Sequence, residues 1–197
     1  MAYFWLGVDE APYPHGMRDN PSCPFALNAL RRHGHFGWDP KPDIYRRLYA
    51  DPAFRQRASG CSDHRGDWKT VIPAVASLLA ITPEDSSLEQ IADRAKAWPA
   101  ITALDSDDRQ LALALLDWYS PIEIALPYGR ELIAGSGQHR ICWARIAGAE
   151  RVPVWCKPYN SPPPGAVPAQ PAVQRRVDSR RRKGWGRWLN AKAVPGE

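Results

Sequence analysis

Ile122-Glu123-Ile124-Ala125-Leu126, Pro127-Tyr128-Gly129-Arg130, Glu131-Leu132-Ile133-Ala134, Gly135-Ser136-Gly137 and then Gln138 through Trp155 is the stretch that decides the fold. Ile122, Ile124 and Leu126 alternate with Glu123 and Ala125, the period of two that marks a strand. Residues 127–130 read as a turn and 131–134 as a second strand, which makes a hairpin. Gly135 to Gly137 break the chain. Gln138 to Ala147 is helical, with Ile141, Ala144 and Ile146 as apolar contacts and Gly148 as its C-terminal stop. Val152-Pro153-Val154-Trp155 is a third strand, and its proline predicts an edge position.

The turn between second strand and helix has a chemistry of its own. A glycine-rich turn that opens a helix points several backbone N–H groups one way, and the helix dipole adds partial positive charge there. Gly135 and Gly137 let an anion approach the backbone, and Ser136 adds a hydroxyl. His139 and Arg140 fall in the first helical turn, and Arg suits bidentate phosphate contact. The pattern predicts phosphate held by Gly135, Ser136, Gly137, Gln138, His139 and Arg140. The competing reading is that His139 and Arg140 only cap or brace the turn.

The segment Glu131–Val154 resembles the signature of the ParB/sulfiredoxin superfamily. In that family a strand ends at a glycine, a Glu-Arg-Arg or His-Arg pair opens a helix, and Ala-Gly precedes Val-Pro-Val. Sulfiredoxins carry Gly-Cys-His-Arg, to which Gly137-Gln138-His139-Arg140 is similar. With its flanking strands the match runs from Pro121 to Trp155, about a fifth of the chain. It implies an α/β (α+β) fold, a small mixed sheet with surrounding helices, and a nucleotide such as ATP bound at the turn, with Mg2+ as its companion ion. It also implies catalytic roles for His139, Arg140 and Glu131. Gln138 departs from the family at the position of the sulfiredoxin thiol and of the ParB glutamate. An amide is neither a nucleophile nor an anionic ligand, so hydrolysis would take its carboxylate from Glu131, Glu123 or an acid of the N-terminal half.

Outward from this core, residues 1–119 read as a helical part of the same domain. Pro24 opens a short helix to about His33, stopped by Gly34. Asp43 and Asp51-Pro52 start a broken helical stretch to about Ala58, with Ile44, Leu48 and Phe54 inward. Trp68–Leu79 is a buried helix interrupted or begun at Pro73. Ser87-Leu88-Glu89-Gln90 has the form of a capping box, so a helix runs from Leu88 to about Ala97, ended by Pro99. A further helix starts at Asp105 or Ser106 and stops near Tyr119. Asp105, Asp107 and Asp108 belong to that helix start rather than to a metal site. Cys61-Ser62-Asp63-His64 and His33-Gly34-His35 have ligand-like spacing, and with Cys23 they read as scattered loop residues rather than zinc ligands.

Net charge is +5, and residues 174–187 alone carry +6, which leaves −1 for the rest of the chain. Arg175, Arg176, Arg180, Arg181, Arg182, Lys183 and Arg187 face only Asp178 within residues 174–187. These cations, with Trp185, predict a basic tail over residues 174–197 that contacts phosphates by charge and bases by stacking. Residues 161–173 read as a proline-rich, extended, semi-rigid linker, and residues 1–160 as one domain. The nine tryptophans go first to core and loop packing, with base stacking as their other use. Four cysteines without framework spacing predict reduced thiols in a bacterial cytoplasm. Residues 1–8 lack the basic start of a secretory signal, and no window has the apolar length of a membrane span, so no membrane insertion is expected.

A single ParB-like core of this length with no helix-turn-helix after it is similar in format to plasmid fertility-inhibition proteins of the Osa type. That likeness implies ATPase and DNA-cleaving activity suppressing plasmid or T-DNA transfer, with DNA and a type IV secretion component as partners. One alternative is a non-enzymatic DNA- or protein-binding inhibitor acting through the basic tail. Another is a ParB-like small-molecule kinase.

Overall fold

A computed structural model of the chain describes residues 2–13, 42–125, 132–156 and 162–172. Five strands and seven helices are found there: β1 (Ala2–Gly7), α1 (Pro42–Ala50), α2 (Pro52–Ser59), α3 (Trp68–Leu79), α4 (Leu88–Ala97), α5 (Pro99–Thr102), α6 (Ser106–Leu115), β2 (Ile124–Ala125), β3 (Ile133–Ala134), α7 (Gln138–Ala147), β4 (Arg151–Cys156) and β5 (Val167–Pro168). The α+β class is as expected. The helix expected from Pro24 to His33, with Cys23 and His35, lies outside the described residues, as do Leu126, the 127–130 turn, Glu131 and the basic tail.

The sheet is built on β1. It pairs antiparallel with β4, Tyr3 opposite Trp155 and Leu6 opposite Val152, and antiparallel with β5 on its other side. β2 and β3 form their own antiparallel pair. A parallel bridge from Glu123 to Trp155 joins the two ladders, with Trp155 N–H donating to Ile122 O at 2.8 Å. In place of the expected single mixed sheet, the described residues form a three-stranded and a two-stranded antiparallel sheet linked by this isolated bridge. β4 is the edge of the β1 ladder, and Pro153 fits there. Side alternation turns its donor-less nitrogen the same way as Trp155 N, away from β1.

The helices follow local chemistry. Ser87 and Gln90 close a reciprocal capping box on α4. Asp51, Asp67 and Asp105 cap α2, α3 and α6 through side-chain acceptors. Asp105 and Asp108 are thus structural: Asp108, buried, also accepts from Asp67 N–H at 2.6 Å. α3 runs unbroken from Trp68, because Pro73 lies on its exposed face, where solvent can meet the carbonyl that loses its donor. Trp98 is extended at ψ 122°, as a residue before proline must be, and ends α4; Pro99 then opens the short α5 rather than a loop. α6 stops at Leu115, four residues before Tyr119, because the Asp117 carboxylate takes Tyr119 N–H at 3.1 Å and competes with the helical bond.

The main core gathers Tyr3 and Leu6 of β1, Val71, Val75, Leu78 and Leu79 of α3, Ile91 of α4, Leu115 of α6 and Ile141 of α7. A second cluster joins Ile44, Tyr45, Leu48 and Phe54 to Cys142 and Ile146 on the other side of α7. α7 is therefore held on two faces. The described part of the expected linker, 162–172, is extended but docks on the body. Pro164-Gly165 turns it, with Gly165 at φ 78°, and Ala169 N–H donates to Tyr3 O. Gln170 is buried, accepting from Tyr3 N–H at 2.8 Å and donating to Pro83 O at 2.8 Å.

Candidate phosphate-binding turn

The turn forms where the sequence puts it, and β2 fixes its shape. Gly135 N–H donates to Glu123 O at 2.9 Å, and Glu123 N–H donates to the Ser136 hydroxyl, which itself donates to Pro121 O. Gly137 is left-handed (φ 79°, ψ 16°) and stands at the start of α7. A Cβ there would sit 2.8 Å from Ile122 Cγ1 and 2.9 Å from its Cα. Glycine is thus required twice over, by the backbone angle and by the close approach to Ile122, two residues before β2. No side chain caps this end of α7, so its first-turn donors keep the partial positive charge that favours an anion.

The six residues named from sequence divide on inspection. Gly135 and Gly137 shape the turn, and Gln138 and His139 occupy its exit. Ser136 spends its hydroxyl on the turn itself. Arg140 turns inward: its guanidinium donates to Ala114 O in the last turn of α6, to Ser120 O, and to Ser120 Oγ at 3.3 Å. It braces two segments against α7 instead of facing outward. Desolvation lowers its pKa from the ordinary arginine value, with the neighbouring Tyr3 and Asp117 acting the other way. Burial holds the Tyr3 hydroxyl well above its usual value, which keeps that ring neutral beside the cation.

His139 stands on the other side. Its Nε2 is 3.3 Å from Asp63 Oδ2, within ion-pair distance but without hydrogen-bond alignment. Burial lowers its pKa, Asp63 opposes that, and Arg140 adds to it. His64 lies alongside, with its ring stacked on Trp143 at 5.1 Å. Its Nδ1 is 2.7 Å from Ala58 O, so that nitrogen carries the proton and the buried Nε2 keeps a lone pair with no hydrogen-bond partner. Burial lowers its pKa too, the Ala58 contact opposes this, and His139 reinforces it. Trp143 anchors this loop by donating to Arg65 O and Gly66 O at 3.0 Å.

The Cys61–His64 loop is thus the wall of the turn. Among the described residues no three His, Cys, Asp or Glu side chains converge to hold a metal. Glu123 is the carboxylate at hand. A Cβ on Gly135 would lie 3.3 Å from its Cδ, so the acid stands over the turn. It also adds to the burial that pushes the Cys156 thiol up to about 11.

Asp63 and His64 carried no sequence signal for this role, because their place beside His139 is a tertiary contact across more than seventy residues. A cleft of about 560 Å³ lined by Arg46, Tyr49, Arg55, Arg145 and Glu150 opens at the far end of α7. Backbone donors at a helix start need no deep cavity to meet an anion.

No protein-family model, no curated protein and no solved structure matches this chain. The likeness to the ParB/sulfiredoxin superfamily therefore rests on the residues of the 121–155 unit. No described helix is long and apolar enough to cross a membrane.

Proposed function

We propose that the chain binds a nucleotide, ATP for preference, with its phosphates at the N-terminus of α7. The observation that supports this is the uncapped helix start delivered by a left-handed glycine. Backbone N–H groups of the first turn hold the anion, and His139 is the side chain at the rim. Arg140 serves as the brace that fixes the turn. Mg2+ fits here as an ion carried by the phosphates and met by one carboxylate, that of Glu123. Such an ion would neutralise phosphate charge.

Around this site we read an ATP-using, DNA-directed effector that suppresses DNA transfer through a type IV secretion system. That wider reading rests on the motif and on the basic segment Arg175–Arg187. A thermal-shift panel with ATP, ADP, CTP and GTP, with and without magnesium, tests the core of it. Ligand that binds only the folded chain raises the melting temperature. No shift with any of the four removes the site.

One observation favours the non-enzymatic alternative. Ser136 and Arg140 are both engaged by the protein's own backbone, so neither side chain is turned to a ligand. Deleting residues 174–197 separates the two. Loss of transfer inhibition with ATP turnover intact favours inhibition by binding through the tail.

A further inference from the structure

Two large aromatic side chains stand in solvent beside this turn. Trp118 is 52% exposed and Tyr119 is 83% exposed. Their rings meet edge to face, with centroids 5.6 Å apart and an interplanar angle of 86°. The pair is held in place. Asp117 accepts from Tyr119 N–H, and the next residue, Ser120, is gripped at its carbonyl and hydroxyl by Arg140. Arg140 is the third residue of α7, so the segment that carries the aromatics is fastened to the helix whose N-terminus is the proposed anion site. One residue spans at most about 3.6 Å of chain. Tyr119 and Trp118 are therefore one and two such steps from the Arg140 clamp.

Two large aromatics exposed side by side and rimmed by polar residues form the kind of apolar patch that marks a binding surface. A planar base carries a π face that stacks on tryptophan or tyrosine whatever its identity. Phosphate and base are covalently joined in a nucleotide, so one ligand satisfies both features. We propose that Trp118 and Tyr119 are the base-stacking platform for the nucleotide whose phosphates lie at the α7 N-terminus. This rests on the phosphate reading above. It makes the ligand a nucleotide rather than a bare phosphate, with little preference among bases, since stacking and not hydrogen bonding reads the ring.

The test is calorimetric titration of the whole chain, and of Trp118→Ala/Tyr119→Ala, with ATP, inorganic tripolyphosphate and a short single-stranded oligonucleotide. The wild type should bind ATP about tenfold or more tighter than tripolyphosphate, the contribution of a stacked base. The double variant should lose that margin and keep its tripolyphosphate affinity. Both residues are exposed, so its melting temperature without ligand should match the wild type. Equal affinity of the wild type for ATP and tripolyphosphate, or an unchanged margin in the variant, overturns the platform and leaves the phosphate site standing. Absence of binding by both anions overturns the phosphate reading and the platform with it. An oligonucleotide that binds more tightly than ATP and is weakened by the same variant upholds the platform and assigns the base to a strand end.

Discussion

The two ends of α7 solve the same problem in opposite ways. Each is marked by a left-handed glycine, Gly137 at φ 79° and Gly148 at φ 71°, and each carries an arginine that grips backbone carbonyls. At the C-terminal end the loose groups are satisfied internally. Ala149 N–H reaches Ala144 O and Gly148 N–H reaches Arg145 O, the paired bonds of a Schellman motif. Arg145 binds the carbonyls of Ala11 and Pro12 and lies 4.4 Å over the Tyr13 ring. A cation there also suits the negative end of the helix. At the N-terminal end no side chain caps the helix, and a half-buried cation, Arg140, sits against the sign of the dipole. A Cβ on Gly148 would meet nothing within 4 Å, whereas one on Gly137 would overlap Ile122. The C-terminal end is finished; the N-terminal end is tight in packing and open in polarity.

The difference can be broken most directly at the glycines. Gly137→Ala combines a disfavoured backbone angle with overlap against Ile122, its Cα included, and we expect about 3 kcal/mol or more of lost stability in urea unfolding. Arg140→Met keeps the bulk of the chain but strips donors from Ala114 O and Ser120 O. It should cost about 2–3 kcal/mol and lower nucleotide affinity indirectly by loosening the turn. Gly148→Ala bears the angle alone, about 1 kcal/mol. If Gly148→Ala proves as damaging as Gly137→Ala, the contrast drawn here fails.

The smallest effect sharpens the contrast through pH. His64 and His139 both have pKa values depressed by burial, below the unfolded value near 6.5. Between the folded and unfolded values the unfolded chain binds more protons, so stability rises with pH there. The chain should lose stability as pH falls below about 6.5, and the loss should level off once the folded-state values are passed. His64→Gln should flatten that dependence, and melting curves from pH 8 to 5 would show it. A profile unchanged by the substitution would mean that His64 is not buried neutral against Ala58.

How much of this was legible depends on how local the cause is. The bounds of α4 and α7 follow from the capping box and from Gly137 and Gly148, which act within a few residues of themselves. The turn was legible for the same reason. β1 was not. Tyr3-Phe4-Trp5-Leu6 is a continuous apolar run in the strand at the centre of its ladder, so it lacks the alternation that reveals a half-exposed strand, and its partners lie far along the chain. The docking of residues 162–172 depends on Gln170 meeting Tyr3 and Pro83, which no composition rule foresees. At the site, glycine positions were readable while the direction of Arg140 was not. Whether an arginine faces a ligand or its own backbone is decided by Ala114 and Ser120, residues whose identity gives no warning.

The placement of β1 also has a consequence in time. Its ladder partners are residues 151–156 on one side and 167–168 on the other. During synthesis Tyr3, Trp5 and Leu6 must wait until nearly all of the described chain has emerged before they can be covered. The helices between them close over short separations and can form early, while the sheet closes late and over long ones. The rate of folding should therefore be set by β1, and the interval before β4 and β5 arrive is when the chain most needs protection from aggregation.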